Sequence, residues 1–225
     1  YSRGAGSKTI SEAVTVIGVT ELKSLMNSTA LSSFFPSRHQ LRGLFWAHDI
    51  AVAITARTIA QTVQPEHSDM AFLGGLMHDI GKGRAGDHSI IGEQIAAMTA
   101  ERLQLAANKR SMLMFLVRYH LIMPDLALRR DITDRIVLLD FARLVGAPEL
   151  LRMLYCLTVA DIRAVGPEVW TDWKGDLLAD LYKPTIAFLP IGDRFTMGPD
   201  TAAYACGLLG VTQVVPLHFA TFPLL

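Results

Sequence analysis

At 225 residues, 51% of them apolar and with no net formal charge, the chain can bury a substantial core but has no global electrostatic reason to seek nucleic acid or anionic lipid. Mean hydropathy is +0.31, yet no run of about 18 uncharged apolar residues occurs, so no membrane span is expected. Cys156 and Cys206 lie in apolar surroundings and read as reduced buried thiols, and the polar start YSRGAGSKTISEA has no apolar secretory core; both point to a cytoplasmic protein. The first residue is not Met, so the chain reads as cut from something longer.

Apolar residues recur at helical spacing along most of the chain, and predict helices near 10–35, 39–63, 69–80, 88–106, 109–123, 132–145, 147–164 and 169–182. Ser68-Asp69 and Asp131 stand where N-caps are expected, and the gaps are punctuated by Gly81, Gly83 and Gly86, Pro124, Gly146 with Pro148, and Gly166-Pro167. The character changes at Lys183-Pro184. From there β-branched and aromatic residues come in short runs, which predict a strand over 185–190, a short helix over 199–209 and a strand over 212–218. Two strands and a helix cannot bury a useful core alone, so this tail must dock on the helical body or stay poorly ordered.

The stretch FLGGLMHDIGKGRAGDH carries the chemistry. His78-Asp79 offers a neutral nitrogen and an anionic oxygen at one helix end, a pairing that suits Mg²⁺, Mn²⁺, Fe or Zn²⁺. An isolated His-Asp pair is more often an exposed helix end, and His48-Asp49 shows how easily the dipeptide recurs. What raises His78-Asp79 is its company. Lys82 and Arg84 follow with positive charge where a phosphate would need it, and the intervening glycines let backbone N–H groups approach an anion. His48, His120 and Asp161 each sit in an apolar helix, where a polar side chain is costly unless partnered, and His88 follows the glycine turn. Six such residues, with no cysteine among them, read as a shared two-metal hydrolytic centre rather than independent core polar groups.

On HDIGKGRAGDHSIIGEQ, LVRYHLIMPDLALRRDI and LTVADIRAVGPEVWTDWKGDLLADLY, residues 71–182 resemble the HD-type hydrolase domain of the bifunctional uridylyltransferase/uridylyl-removing enzymes of bacterial nitrogen control. That resemblance implies hydrolysis of the uridylyl-tyrosine phosphodiester on the PII signalling protein, with release of UMP. It implies His78, Asp79, His88, His120 and Asp161 as metal ligands, with His48 as the upstream His, Asp79 bridging two metals and a metal-bridging hydroxide as nucleophile. Lys82 would stabilise charge on phosphorus, with Arg84, Arg129 and Arg130 as further phosphate contacts. Residues 9–64, through ISEAVTVIGVTELKSLMNSTALSSFFP and LRGLFWAHDIAVAITARTIAQ, are more similar to an HDOD domain, an HD-related signalling module; Asp49 stands where HDOD sequences usually have Ser. Residues 185–225 resemble the C-terminal end of metallo-β-lactamase-type hydrolases, with His218 at the position of that family's last metal ligand, although the HxHxDH motif is absent from the chain.

These resemblances divide the chain into an HDOD-like segment (1–66), an HD hydrolase domain (67–183) and a metallo-β-lactamase-like fragment (184–225), a mosaic pattern. The expected fold is mainly α, an HD-domain helical bundle with a short β-α-β C-terminal tail. The expected function is a phosphodiesterase that uses Mn²⁺, Mg²⁺ or Fe, two ions if both halves of the site form, on uridylylated PII or a nucleotide phosphoester. The alternative is an HDOD-like interaction scaffold with a non-functional metal site. No nucleotidyltransferase motif is present, which leaves removal of the uridylyl group without its transfer.

Overall fold

A computed structural model describes residues 42–187 apart from Pro167, with Ala203 and Gly207 as isolated helical positions. Among the described residues eight α-helices follow one another: α1 (Arg42–Val63), α2 (Ser68–Met77), α3 (His88–Arg102), α4 (Ala107–Tyr119), α5 (Ile122–Arg129), α6 (Arg135–Val145), α7 (Pro148–Val165) and α8 (Asp172–Ala187). A 3-10 turn, Pro65–His67, joins α1 to α2. The described residues contain no strand, in line with the expected helical bundle. The expected helix over 10–35, the tail beyond 187 apart from Ala203 and Gly207, Cys206 and His218 lie outside the described residues.

α2 is the centre of the bundle. Every residue from Met70 to Met77 is buried, because α1, α4 and α7 all pack around it. α3 pairs with α4, and α8 closes the far side against α5, α6 and α7. Leu76, Met77, Ile80, Leu113, Leu116, Met123, Leu151, Leu154 and Leu157 form the dense interior beneath the polar cluster. Such apolar burial is the main stabilising term among the described residues, which contain neither a disulfide nor a sheet ladder.

Close helix approach at one point decides where His48 falls. A Cβ placed on Gly75 would lie 2.7 Å from Ala53 Cα and 2.8 Å from Ala53 N, so only glycine lets α2 come this near the backbone of α1. Gly81 has the same role farther on. A Cβ there would collide with the His88 carbonyl, so the turn after Asp79 can cross the start of α3 only without a side chain. The sequence suggested an anion-binding use for this glycine; the observed contact is a packing one.

Several local expectations are corrected. Pro124, read as a gap, is the third residue of α5, in the first turn where a missing N–H breaks no helical hydrogen bond. Ser68 is the first residue of α2 rather than its cap, which is His67. Asp131 accepts from Thr133 N at 2.9 Å in a turn, while the cap of α6 is Asp134, which accepts from Ile136 N at 2.8 Å. The strand expected from 185 does not begin there, because α8 runs through Pro184 to Ala187. Leu178, Leu181 and Thr185 are buried along it, and the Thr185 hydroxyl donates to the Leu181 carbonyl at 2.6 Å, so tertiary packing outweighs the proline's lost N–H. The segment Ala107–Arg129 is long and apolar enough to cross a membrane by composition, but it is broken at His120-Leu121 into α4 and α5, both packed in the bundle.

Candidate metal centre

The polar cluster is assembled from the interior faces of α1 and α7, the C-terminal ends of α2 and α4, and the N-terminus of α3. Its floor is buried: His78, Asp79 and His120 have side chains at most 3% exposed. Its rim is partly open, with His48 at 20%, Asp161 at 19%, His88 at 28% and Lys82 at 39%. A site with a dry floor and a wet rim can exclude most water from bound ions and still admit a substrate.

The two buried imidazoles are oriented the same way. His78 Nδ1 donates to the Gly75 carbonyl at 2.7 Å, and His120 Nδ1 donates to the Val117 carbonyl at 2.8 Å, each to a carbonyl of the turn just before it. This local bond fixes the tautomer and turns both Nε2 lone pairs into the cluster. There they meet acceptors. His78 Nε2 stands 3.4 Å from Asp79 Oδ2 and 3.6 Å from Asp161 Oδ1, and His120 Nε2 stands 3.5 Å from Asp79 Oδ1. His78 Nε2 is buried without a hydrogen-bond partner among the described residues. Lone pairs facing carboxylate oxygens at these distances need a cation between them, either a proton or a metal ion.

At the rim, His48 Nε2 and Asp161 Oδ1 meet at 3.0 Å. On the other side His88 Nε2 is 3.4 Å from His120 Nε2 and 3.8 Å from Asp79 Oδ1. The Lys82 ammonium pairs with Asp79 and lies 5.7 Å from the centre of the Phe45 ring on α1. Atoms that could bind a metal fall into two groups, each within 4.8 Å: His48, Asp49, His78 and Asp79 in one, Asp79, His88 and His120 in the other. Asp79 belongs to both.

The protonation equilibria follow this geometry. Burial opposes charge on His78, but the surrounding carboxylates of Asp161, Asp79 and Asp49 raise its pKa to about 9. Burial likewise opposes ionisation of Asp79, but His120, His78 and Lys82 together hold it well below the ordinary carboxylate range. Asp161 is held low in the same way by His48 and His78 against the effect of burial. Burial and the neighbouring His120 lower His88, which keeps its nitrogen available as a ligand. Without a metal, then, the proton fills the cation position beside His78.

All six residues expected as ligands lie in this cluster, and Lys82 joins it. Arg84 is exposed on the glycine turn two residues beyond Lys82. Arg129 is exposed at the end of α5, paired with Asp125 at 3.1 Å, and Arg130 is exposed beside it. Asp49 was missed. Its carboxylate is fully buried within the first ligand group, and the signal that could have found it is an acid inside the apolar run LFWAHDIAVAI.

The HDOD domain family matches residues 1–115, just over half of the chain. The chain belongs to the HDOD domain family. This HDOD chain is also 42% identical over 175 residues to the bifunctional uridylyltransferase/uridylyl-removing enzyme of Phenylobacterium zucineum, a match that covers 76% of the chain and 18% of that relative. It is 50% identical over 117 residues to the enzyme of the same name from Cereibacter sphaeroides, covering 52% of the chain and 13% of the relative. The corresponding protein of Caulobacter vibrioides is 40% identical over 175 residues, with 76% and 18% covered. The chain thus spans less than a fifth of the length of these relatives. No solved structure matches it. The HDOD chain therefore joins homology to enzymes named as uridylyl-removing with a His/Asp cluster of the kind that an HD-type metal-dependent hydrolase needs.

Proposed function

We propose that the chain is a divalent-metal-dependent phosphodiesterase of HD type whose substrate is a uridylyl phosphodiester, uridylylated PII first among them. The observation that carries this reading is the pair of buried, carbonyl-anchored histidines whose free Nε2 atoms face the oxygens of Asp79 and Asp161 across gaps suited to a cation. In this reading His48, His78, Asp79 and Asp161 hold one ion, Asp79, His88 and His120 hold a second, and Asp79 is shared. Mn²⁺, Mg²⁺ or Fe fits a donor set of imidazoles and carboxylates without thiolate. Bound metal would supply a Lewis acid for the phosphoryl oxygens and a water acidified toward neutrality.

The protein's own groups do the rest. The Gly75 and Val117 carbonyls fix the imidazoles before any ion arrives, so little reorganisation accompanies loading. Lys82, drawn toward the centre by Asp79, places a positive charge next to the site where a phosphodiester would gather negative charge. Arg84, Arg129 and Arg130 serve in this reading as outer phosphate contacts. Residues 185–225, with His218, are read as an appendage without a catalytic part. A cytoplasmic setting and a place in nitrogen regulation go with the proposed substrate.

The test is release of UMP from uridylylated PII by the Mn²⁺-loaded chain, with elemental metal analysis of the same sample and of Asp79→Ala. UMP release and bound metal, both lost in the variant, are expected. Hydrolysis of bis(p-nitrophenyl) phosphate without UMP release would discard the substrate and keep the chemistry. A chain that binds no metal would leave the second reading, an HDOD interaction scaffold, which the family match over residues 1–115 favours.

A further inference from the structure

Asp49 sits on α1 next to His48, is fully buried, and neither of its carboxylate oxygens has a hydrogen-bond partner among the described residues. Its Oδ1 is 3.7 Å from His78 Nδ1, on the side of the ring opposite Nε2, and the Nδ1 proton is already given to Gly75. A buried carboxylate without hydrogen bonds is among the costliest groups a fold can hold, and the helices around it supply no donor. Its offset must come from charge. The charged or titratable groups near it are His78, Asp79, His48 and Lys82. With neutral imidazoles, Asp49, Asp79 and Asp161 set three negative charges against the single positive charge of Lys82. The cluster thus carries two excess negative charges, which favour the binding of divalent cations.

We propose that Asp49 is a positioning residue of the metal centre: a buried anion behind His78 that acts through the imidazole and through space to tighten the hold on a divalent cation, without coordinating it. The inference rests on the metal reading above and adds to it a residue that lies outside the expected ligand set. A serine there brings neither the charge nor the desolvation cost. The burial cost is present with or without metal, whereas a divalent ion attracts Asp49 more strongly than the single proton beside His78, so neutralising Asp49 has opposite effects on the two states. The metal-free fold is relieved and the metal-loaded fold is weakened.

The experiment compares the wild-type chain with Asp49→Asn and Asp49→Ser, measuring Mn²⁺ affinity by calorimetric titration and thermal midpoints with EDTA and with saturating Mn²⁺. The expected result is a roughly 10–100-fold loss of Mn²⁺ affinity, the range for groups that act through a ligand. It is accompanied by a metal-free midpoint equal to or above that of the wild type. Asp49→Ser covers the case in which the asparagine amide packs badly. Mn²⁺ affinity within about twofold of a wild type that does bind Mn²⁺ overturns this inference and leaves the metal site standing. Lower metal-free stability with unchanged affinity, the signature of a merely structural acid, does the same. A wild-type chain that binds no Mn²⁺ overturns both.

Discussion

His48 Nε2 and Asp161 Oδ1 are 3.0 Å apart although 113 positions separate them in the chain. The contact joins α1 to α7, which pack on each other and on α2, across the rim of the cluster. If the pair holds a metal, Asp161→Ala removes an anionic ligand and leaves His48 without its partner. Mn²⁺ affinity is then expected to fall by more than about tenfold, measured by calorimetric titration. Retention of wild-type affinity would remove α7 from the site.

Lys82 has a different expected signature, because its ammonium faces Asp79 and is no ligand. Lys82→Ala is expected to keep its metal in elemental analysis while phosphodiester hydrolysis drops about 10²–10³-fold, the range for losing one preorganised group that stabilises transition-state charge. Loss of metal in step with activity would instead give Lys82 a part in holding the site together.

The metal-free protein should show an unusual pH response. His78 is raised from 6.5 to about 9, so its contribution to stability is complete below 6.5 and is lost as pH rises through about 9. Asp49, raised by burial from 3.8 to about 7, adds a loss of the same sign as pH rises through about 7. Asp79 and Asp161 are depressed, so what they contribute is present above 3.8 and disappears only as the solution becomes more acidic. The thermal midpoint in EDTA is therefore expected to fall steadily from about pH 5 to about pH 9. Saturating Mn²⁺ should reverse the alkaline fall, since the ion takes the proton's place beside His78. A metal-free midpoint that rises over this range would contradict the proton-filled cluster.

Two adjacent glycines give a packing test. At Gly74 an added Cβ would meet Leu116 Cδ1 at 3.1 Å, the end of a side chain that can turn away, and alanine brings about 1 kcal/mol of helix propensity. At Gly75 it would meet the Ala53 backbone at 2.7 Å, which cannot move unless α1 separates from α2. Gly75→Ala is expected to lower the thermal midpoint well below that of Gly74→Ala and to weaken Mn²⁺ binding, because α1 carries His48. Equal midpoints for the two variants would show that the helix crossing is soft.

Much of the bundle was legible in the chain because amphipathic spacing is a local property. The predicted helices over 39–63, 88–106, 109–123, 147–164 and 169–182 each correspond to an observed helix, with ends shifted by capping and by α8 extending to Ala187. Pro124 and Pro184 misled for one reason: a proline's effect depends on its position in the turn and on the packing around it. The former sits where no hydrogen bond is lost, and the latter where buried neighbours carry the helix on.

The chemistry divides along a similar line. The sequence by itself singled out His48, His78, Asp79, His88, His120 and Asp161 as candidate donors, because imidazoles and carboxylates in apolar helices are costly wherever those helices pack. Only the tertiary structure decided that they meet at one place, that Asp79 belongs to both ligand groups, and that the Gly75 and Val117 carbonyls aim the imidazoles inward. It alone set Asp49 apart from an ordinary polar neighbour of His48. Hydrogen-bond satisfaction depends on what surrounds a side chain in three dimensions, and no spacing along the chain records that the described residues around Asp49 give it no hydrogen bond.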